Sequence, residues 1–220
     1  KSYASFTLTA HNPGGHSSQP RPDNAIYELA DALKALQGYS FPVMWNDWTL
    51  GSFKASAPVT PGELGEAMAK FAAHPGDAGA AAILAKTPAM IGRTRTTCVA
   101  TLLTGGHADN ALPQSATATV NCRIFPGTSV AEVRDSLQQV VGDRIEVQVL
   151  GEPHSSPPSP LRDDVFKAVT KAVRASHPGV PIVPDMAPYA TDGSILRGAG
   201  IPTYGVSSLF MKQTDEFAHG

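Results

Sequence analysis

The chain is short of most features that announce a function. It has two cysteines in 220 residues, too few for a disulfide framework or a cysteine-built zinc cluster. Charged residues make up 16% and the formal net charge is -2, which leaves no electrostatic footprint for nucleic acid or an anionic membrane surface as partner. The longest apolar run, Ala78 to Ala85, is alanine-rich and bounded by Asp77 and Lys86, far short of the roughly 20 residues that a membrane span needs. No HExxH, paired-cysteine motif, phosphate loop or GxSxG elbow occurs, so the single-motif routes to an enzyme class are closed. What remains is 42% apolar residues, enough for a globular chain of one large domain or two small ones.

Periodicity supplies the scaffold. Ser2 to Thr9 alternates Tyr3, Ser5, Thr7 and Thr9 against Ala4, Phe6 and Leu8, the pattern of a half-buried strand. Ile26, Leu29, Leu33 and Leu36 recur at helical spacing within Asp23 to Tyr39. Two strand-like runs flank a Gly-Gly/Asn/Pro loop between Arg95 and Gly127. Ser129 then opens a helix with Glu132 three residues on, a capping-box spacing, and Ile145, Val147 and Val149 mark a fourth strand. The order βαββαβ predicts an α+β, ferredoxin-like domain over residues 1–150.

Residues 41–92 do not fit that plan and read as a helical insertion. A helix is expected after Thr60, taken as its N-cap, with an alanine-rich one after Asp77. Trp45 and Trp48 could line a pocket, but packing against the scaffold is the better reading. The proline-dense stretch Gly151 to Pro160 marks a boundary. Beyond it, a helix around Val165 to Val173, short strands at Pro181 to Val183 and Thr203 to Val206, and a helical turn at Ser194 to Arg197 suggest a fragment of an α/β domain over 151–220.

The polar candidates are modest one by one. His16 follows Gly14-Gly15 at a strand end; it reads first as an exposed turn histidine, and otherwise as an oxyanion donor, acid or base. Asn110 either shapes its loop or contacts a substrate. Arg123 shares a strand face with Thr119 and Asn121, where it is either solvated or holds a carboxylate. Thr191-Asp192-Gly193 precedes a short helix; Asp192 as a plain N-cap competes with a site for an anionic group. His219 is, on its own, a terminal histidine. Cys98 and Cys122 fall almost opposite each other across a hairpin, yet two free thiols are the expectation, because a bridge demands specific geometry.

Taken together, GGHSSQPRPDNAI, RTT, GGHADNALPQSATATVNCRIFPG, ATDGSILRGAGIPTYGVSS and the closing AHG resemble the zinc-dependent aminoacylase/carboxypeptidase family. That family includes carboxypeptidase G, acetylornithine deacetylase and succinyl-diaminopimelate desuccinylase, and the carboxypeptidase S branch is nearest. The resemblance covers most of the chain, in order. It implies a lid or dimerisation domain over 1–150 and the C-terminal return of a catalytic domain over 151–220. It also implies a parent enzyme in which two zinc ions activate water for amide hydrolysis. His16 matches the lid histidine that stabilises the oxyanion in a partner subunit's site. Asn110, Arg123, Thr191, Asp192 and Gly193 match substrate-binding positions, and His219 matches the last metal ligand. The implied substrate is an N-acyl amino acid or peptide with a free carboxylate, and the implied assembly is a homodimer through the lid.

The other metal ligands and the general-base glutamate of that family pattern have no counterpart in these 220 residues. With Lys1 in place of a methionine, the chain reads as an excerpt that is inactive alone. The contrasting expectation is a non-catalytic ferredoxin-like module for dimerisation or ligand binding.

Overall fold

The computed structural model describes residues 1–206. Along the chain these form β1 (Ser2–His11), β2 (Gly15–His16), α1 (Ala25–Gly38), α2 (Asp47–Ser56), α3 (Gly62–Ala73), α4 (Ala78–Ala85), α5 (Pro88–Thr94), β3 (Thr97–Gly105), β4 (Ala111–Leu112), β5 (Ser115–Ile124), α6 (Val130–Val141), β6 (Ile145–Leu150), α7 (Asp163–Ser176) and α8 (Gly193–Gly198). The main sheet has four strands in the order β3-β5-β1-β6, every neighbouring pair antiparallel. Each β-α-β unit is split by a strand of the other, since β5 separates β1 from β3 and β1 separates β5 from β6. The chain is thus a mixed α+β structure.

Alternation decides which face of the sheet is covered. Ala4, Phe6, Leu8 and Ala10 of β1 share one face with Ala116, Ala118, Val120 and Ile124 of β5, all buried. Leu29 and Leu36 of α1 and Val133 and Leu137 of α6 close that face. Each large side chain hidden there contributes about 1.5–3 kcal/mol. The opposite face carries hydroxyls and amides: Thr9 and Thr117 meet at 3.1 Å, and Asn121 Nδ2 donates to Ser5 Oγ at 3.1 Å. Helix starts follow local chemistry. Asn24 caps α1 by accepting from the Ile26 N–H, and the Ser129/Glu132 capping box is formed in both directions at α6.

The insertion has its own core of Phe53, Met68, Phe71 and Leu84, with the Phe53 and Phe71 rings edge-on at 5.7 Å. It holds four helices rather than the two expected. α2 starts at an Asn46 cap that accepts from Thr49 N–H, and α5 begins at Pro88, a residue suited to the first helical turn. Thr60 does not cap α3, whose N-cap position is Pro61; the Thr60 hydroxyl turns back to donate to Ser56 O at 2.9 Å. Trp45, still 43% exposed, packs edge-on to Phe71 of the insertion's own core, and Trp48 donates to Ser159 O at 2.9 Å beside the Tyr204 ring.

Two expected strands are absent beyond β6. Residues 181–183 are irregular; the stretch starts at Pro181 and is followed by Pro184, and neither has the N–H a ladder needs. Residues 203–206 are also irregular, because a side chain takes the place of a partner strand: Thr203 N–H donates to Ser159 Oγ at 2.9 Å while that hydroxyl donates to Thr203 O at 2.7 Å. The stretch that follows Pro184 is fastened to the insertion and α5. Arg93 pairs with Asp185 at 2.8 Å and Asn46 donates to Met186 Sδ at 3.4 Å.

The free-thiol expectation is overturned, since Cys98 and Cys122 form a disulfide. The register places them directly opposite on β3 and β5, close enough that no backbone movement is needed to bridge them. The bond crosses from the interior strand to an edge strand whose Val99, Leu102 and Leu103 are 60%, 67% and 66% exposed, next to a register shift between Ala100 and Leu102. Trypsin, cutting after Arg95 and Arg123, releases both cysteines in one peptide. Unreduced, that peptide is expected to be two hydrogens lighter than after reduction; equal masses would restore the free-thiol reading. Replacing both cysteines with serine is expected to lower the unfolding free energy by about 2–4 kcal/mol in denaturant titration.

Candidate functional site

His16 and Asn110 lie far apart in sequence and together in space. The two-stranded ladder β2–β4 pairs Gly15 with Leu112 and His16 with Ala111, and Ser17 N–H donates to Asn110 O at 3.0 Å. Gly14 makes the approach possible. Its φ of 78° favours glycine, and a Cβ there would stand 2.8 Å from the Gln114 side chain. Both side chains are exposed at this end of the molecule. His16 Nδ1 lies 2.8 Å from Ser18 Oγ and accepts the Ser18 N–H at 3.2 Å.

The segment carrying His16 is tied at its base. Asn12 Oδ1 accepts the Gly14 N–H at 3.0 Å, and its Nδ2 donates to Asp23 Oδ2 at 2.8 Å. Arg21 grips Asp23 with two bonds of 3.0 and 2.8 Å. The Arg21 and Asn12 hydrogen bonds lower the Asp23 carboxyl from 3.8 to about 2. None of Asn12, Arg21 and Asp23 stood out in the sequence; the signal was there as Asn and Asp bracketing a Gly-Gly-His turn.

Arg123 is elsewhere. It sits near the far end of β5, opposite Tyr3 of β1 and Thr97 of β3, with its guanidinium 5.5 Å from the centre of the Tyr3 ring. From Ser115, beside the His16 end, to Arg123 is roughly 25 Å of strand at the usual rise per residue. That far end also holds Lys1. The Lys1 ammonium donates to Arg95 O and Arg123 O, and burial with the neighbouring Arg123 charge lowers it to about 7.

Thr191 and Asp192 belong to the Arg123 end. They line a cleft of about 400 Å³ with Ser2, Tyr3, Glu152 and His154. Asp192 stands at the N-cap position of α8 but makes no capping hydrogen bond, so plain capping does not account for it. Gly193 opens α8, where a Cβ would come within 3.0 Å of the Arg197 guanidinium. His219 lies outside the described residues. Among the described residues no group of three or more His, Cys, Asp or Glu side chains could hold a metal ion, so these residues do not by themselves fit the two-zinc site that the resemblance implies.

The Asp23 tether has a signed pH dependence. A carboxyl lowered on folding stabilises the loop above pH 3.8, and that contribution is lost as pH falls towards about 2. Amide exchange in residues 12–23 is expected to accelerate over that interval relative to the sheet, and Asp23→Asn is expected to remove the acid step. An acid step that survives in the variant would place the titrating group elsewhere.

Comparison with known proteins extends these observations. A family model described as a peptidase dimerisation domain matches residues 1–147. The chain is 28% identical over 218 residues to the N-fatty-acyl-amino acid synthase/hydrolase PM20D1 of Xenopus tropicalis, covering 98% of this chain and 42% of that protein. It is 27% identical over 185 residues to the probable carboxypeptidase S-like 2 of Dictyostelium discoideum, covering 81% and 34%. A crystal structure of the M20 family metallo-carboxypeptidase Sso-CP2 from Sulfolobus solfataricus aligns over 92% of this chain and 56% of its own, with 16% identity and a TM-score of 0.57, a likeness of fold. The chain therefore spans less than half the length of these curated relatives. On the match over residues 1–147, this chain belongs to the M20 peptidase dimerisation-domain family.

Proposed function

We propose that this chain supplies the lid, residues 1–150, and part of the catalytic domain, 151–220, of a homodimeric metallohydrolase that cleaves the amide bond of N-acyl amino acids or of peptides with a free C-terminal carboxylate. The observation that carries the reading is the two-ended distribution of polar groups. His16 and Asn110 are zipped together at one end of the sheet, while at the other Arg123 stacks on Tyr3, a residue that lines the cleft with Thr191 and Asp192. Roughly 25 Å is far more than the distance between the amide and the carboxylate of one amino acid. The two groups therefore serve one substrate only if a second copy brings its His16 end to this copy's Arg123 end.

In that arrangement each residue has a defined task. His16 donates a hydrogen bond to the oxygen that gains charge as the amide is attacked. Arg123, stacked over Tyr3, holds the carboxylate, and the Thr191-Asp192-Gly193 loop contributes from the cleft that Tyr3 also lines. The exposed β3 edge, with Val99, Leu102 and Leu103, is the pairing surface. Zinc, when bound in the parent, would supply the activated water. His219 is proposed as one of its ligands; the remainder come from outside these 220 residues. The relatives named for N-fatty-acyl-amino acids and for carboxypeptidase S support this choice of substrate class.

In the full-length protein, His16→Ala is expected to lower kcat by about 10²–10³ with dimerisation intact, and Arg123→Ala to raise KM for substrates with a free carboxylate. Mixing the two variants is expected to recover activity, because one of the two sites in a mixed dimer keeps both groups. The 220-residue chain alone is expected to hydrolyse nothing. Full activity in the His16→Ala protein would take His16 out of the reaction, and full-length protein that dimerises and never hydrolyses an amide would favour the non-catalytic dimerisation module instead.

A further inference from the structure

The geometry around His16 points to Ser18 as a positioning residue, which we propose holds the neutral imidazole in the tautomer with its proton on Nε2, making His16 a hydrogen-bond donor and not a base. The argument starts from a group whose role is fixed. A backbone N–H can only donate, and the Ser18 N–H points at His16 Nδ1 from 3.2 Å. A proton on Nδ1 would set two donors against each other, so the neutral ring carries its proton on the other nitrogen. The Ser18 hydroxyl, 2.8 Å from the same nitrogen, can then donate to the same lone pair.

The chain folds so as to make this contact. Gln19 N–H donates to His16 O at 2.9 Å, closing a turn that brings Ser18 back beside the ring two residues upstream. Pairing of His16 with Ala111 and the Ser17 to Asn110 bond of 3.0 Å fix the backbone from the other side. Nδ1 is therefore committed within the loop. Nε2 makes no hydrogen bond among the described residues and is free to donate. This selects between the roles the histidine could have in the proposed reaction. An Nε2–H can polarise a carbonyl or steady an oxyanion, but it cannot take a proton from water.

This inference rests on the proposed hydrolase function, and the experiment separates the two. The full-length protein, labelled with ¹⁵N in its histidine rings, is compared with Ser18→Ala, Ser18→Thr and His16→Gln, the last assigning the His16 signals. In the unsubstituted protein Nε2 is expected to show the protonated, pyrrole-type shift and Nδ1 the unprotonated one. Ser18→Ala keeps the backbone donor and loses the hydroxyl. It is expected to move the ring shifts towards a tautomer average and to lower kcat about 3- to 10-fold, the worth of one neutral hydrogen bond, with KM nearly unchanged. Ser18→Thr is expected to restore both readouts. A proton on Nδ1 in the unsubstituted protein overturns the proposal, and so do unchanged shifts and kcat in Ser18→Ala. If the shifts behave as expected while His16→Gln keeps full activity, the tautomer assignment stands and the hydrolase role of His16 falls.

Discussion

The register between β1 and β5 is the constraint on which the rest of the molecule depends. Ten consecutive residues of β1, from Ser2 to His11, face ten of β5, from Ile124 down to Ser115. The period of two along a strand means that this one alignment sends every apolar residue of both strands except Tyr3 to the helix-covered face. A slip of β1 by one residue against β5 would carry Phe6 and Leu8 out to the threonine face, at about 1.5–3 kcal/mol for each large side chain exposed. The same alignment sets Arg123 beside Tyr3, and by ending at His11 and Ser115 it delivers the two glycine-rich loops to one place. The core and both ends of the site thus follow from a single pairing.

Much of this was legible because it is local. The alternation in Ser2 to Thr9, the helical stripe of Leu29, Leu33 and Leu36, and the Ser129/Glu132 box each carry their structure in neighbouring letters. What stayed hidden depends on partners distant in sequence. The cysteine bridge follows from strand register, which spacing around a hairpin only approximates. The strands expected near Pro181 and Thr203 find no strand to pair with among the described residues, and Thr203 bonds a serine hydroxyl instead. Asp47 to Ser56 became a helix through its Asn46 cap, although its weak amphipathicity gave little to read.

The candidate site divides in the same way. His16 was visible from its glycines, whereas the residues that hold its loop, Asn12, Arg21 and Asp23, are unremarkable letters until the chain closes on itself. Arg123 was readable as a residue of the open face, but its separation from His16 could be seen only with the sheet assembled. That separation makes the β3 edge part of the proposed chemistry, because association of two copies then determines which groups meet.

The bond between Cys98 and Cys122 also changes what a cut in the backbone can do. The turn at its far end, from Gly106 to Asn110, is exposed, the sort of place where proteases nick folded proteins. Cleavage there would leave the two halves joined through sulfur, with β3 still paired along β5 and His16 still beside the residues that remain on its own side of the break. The edge strand would persist through a wound that releases it in a reduced molecule, so its durability is covalent as well as hydrogen-bonded.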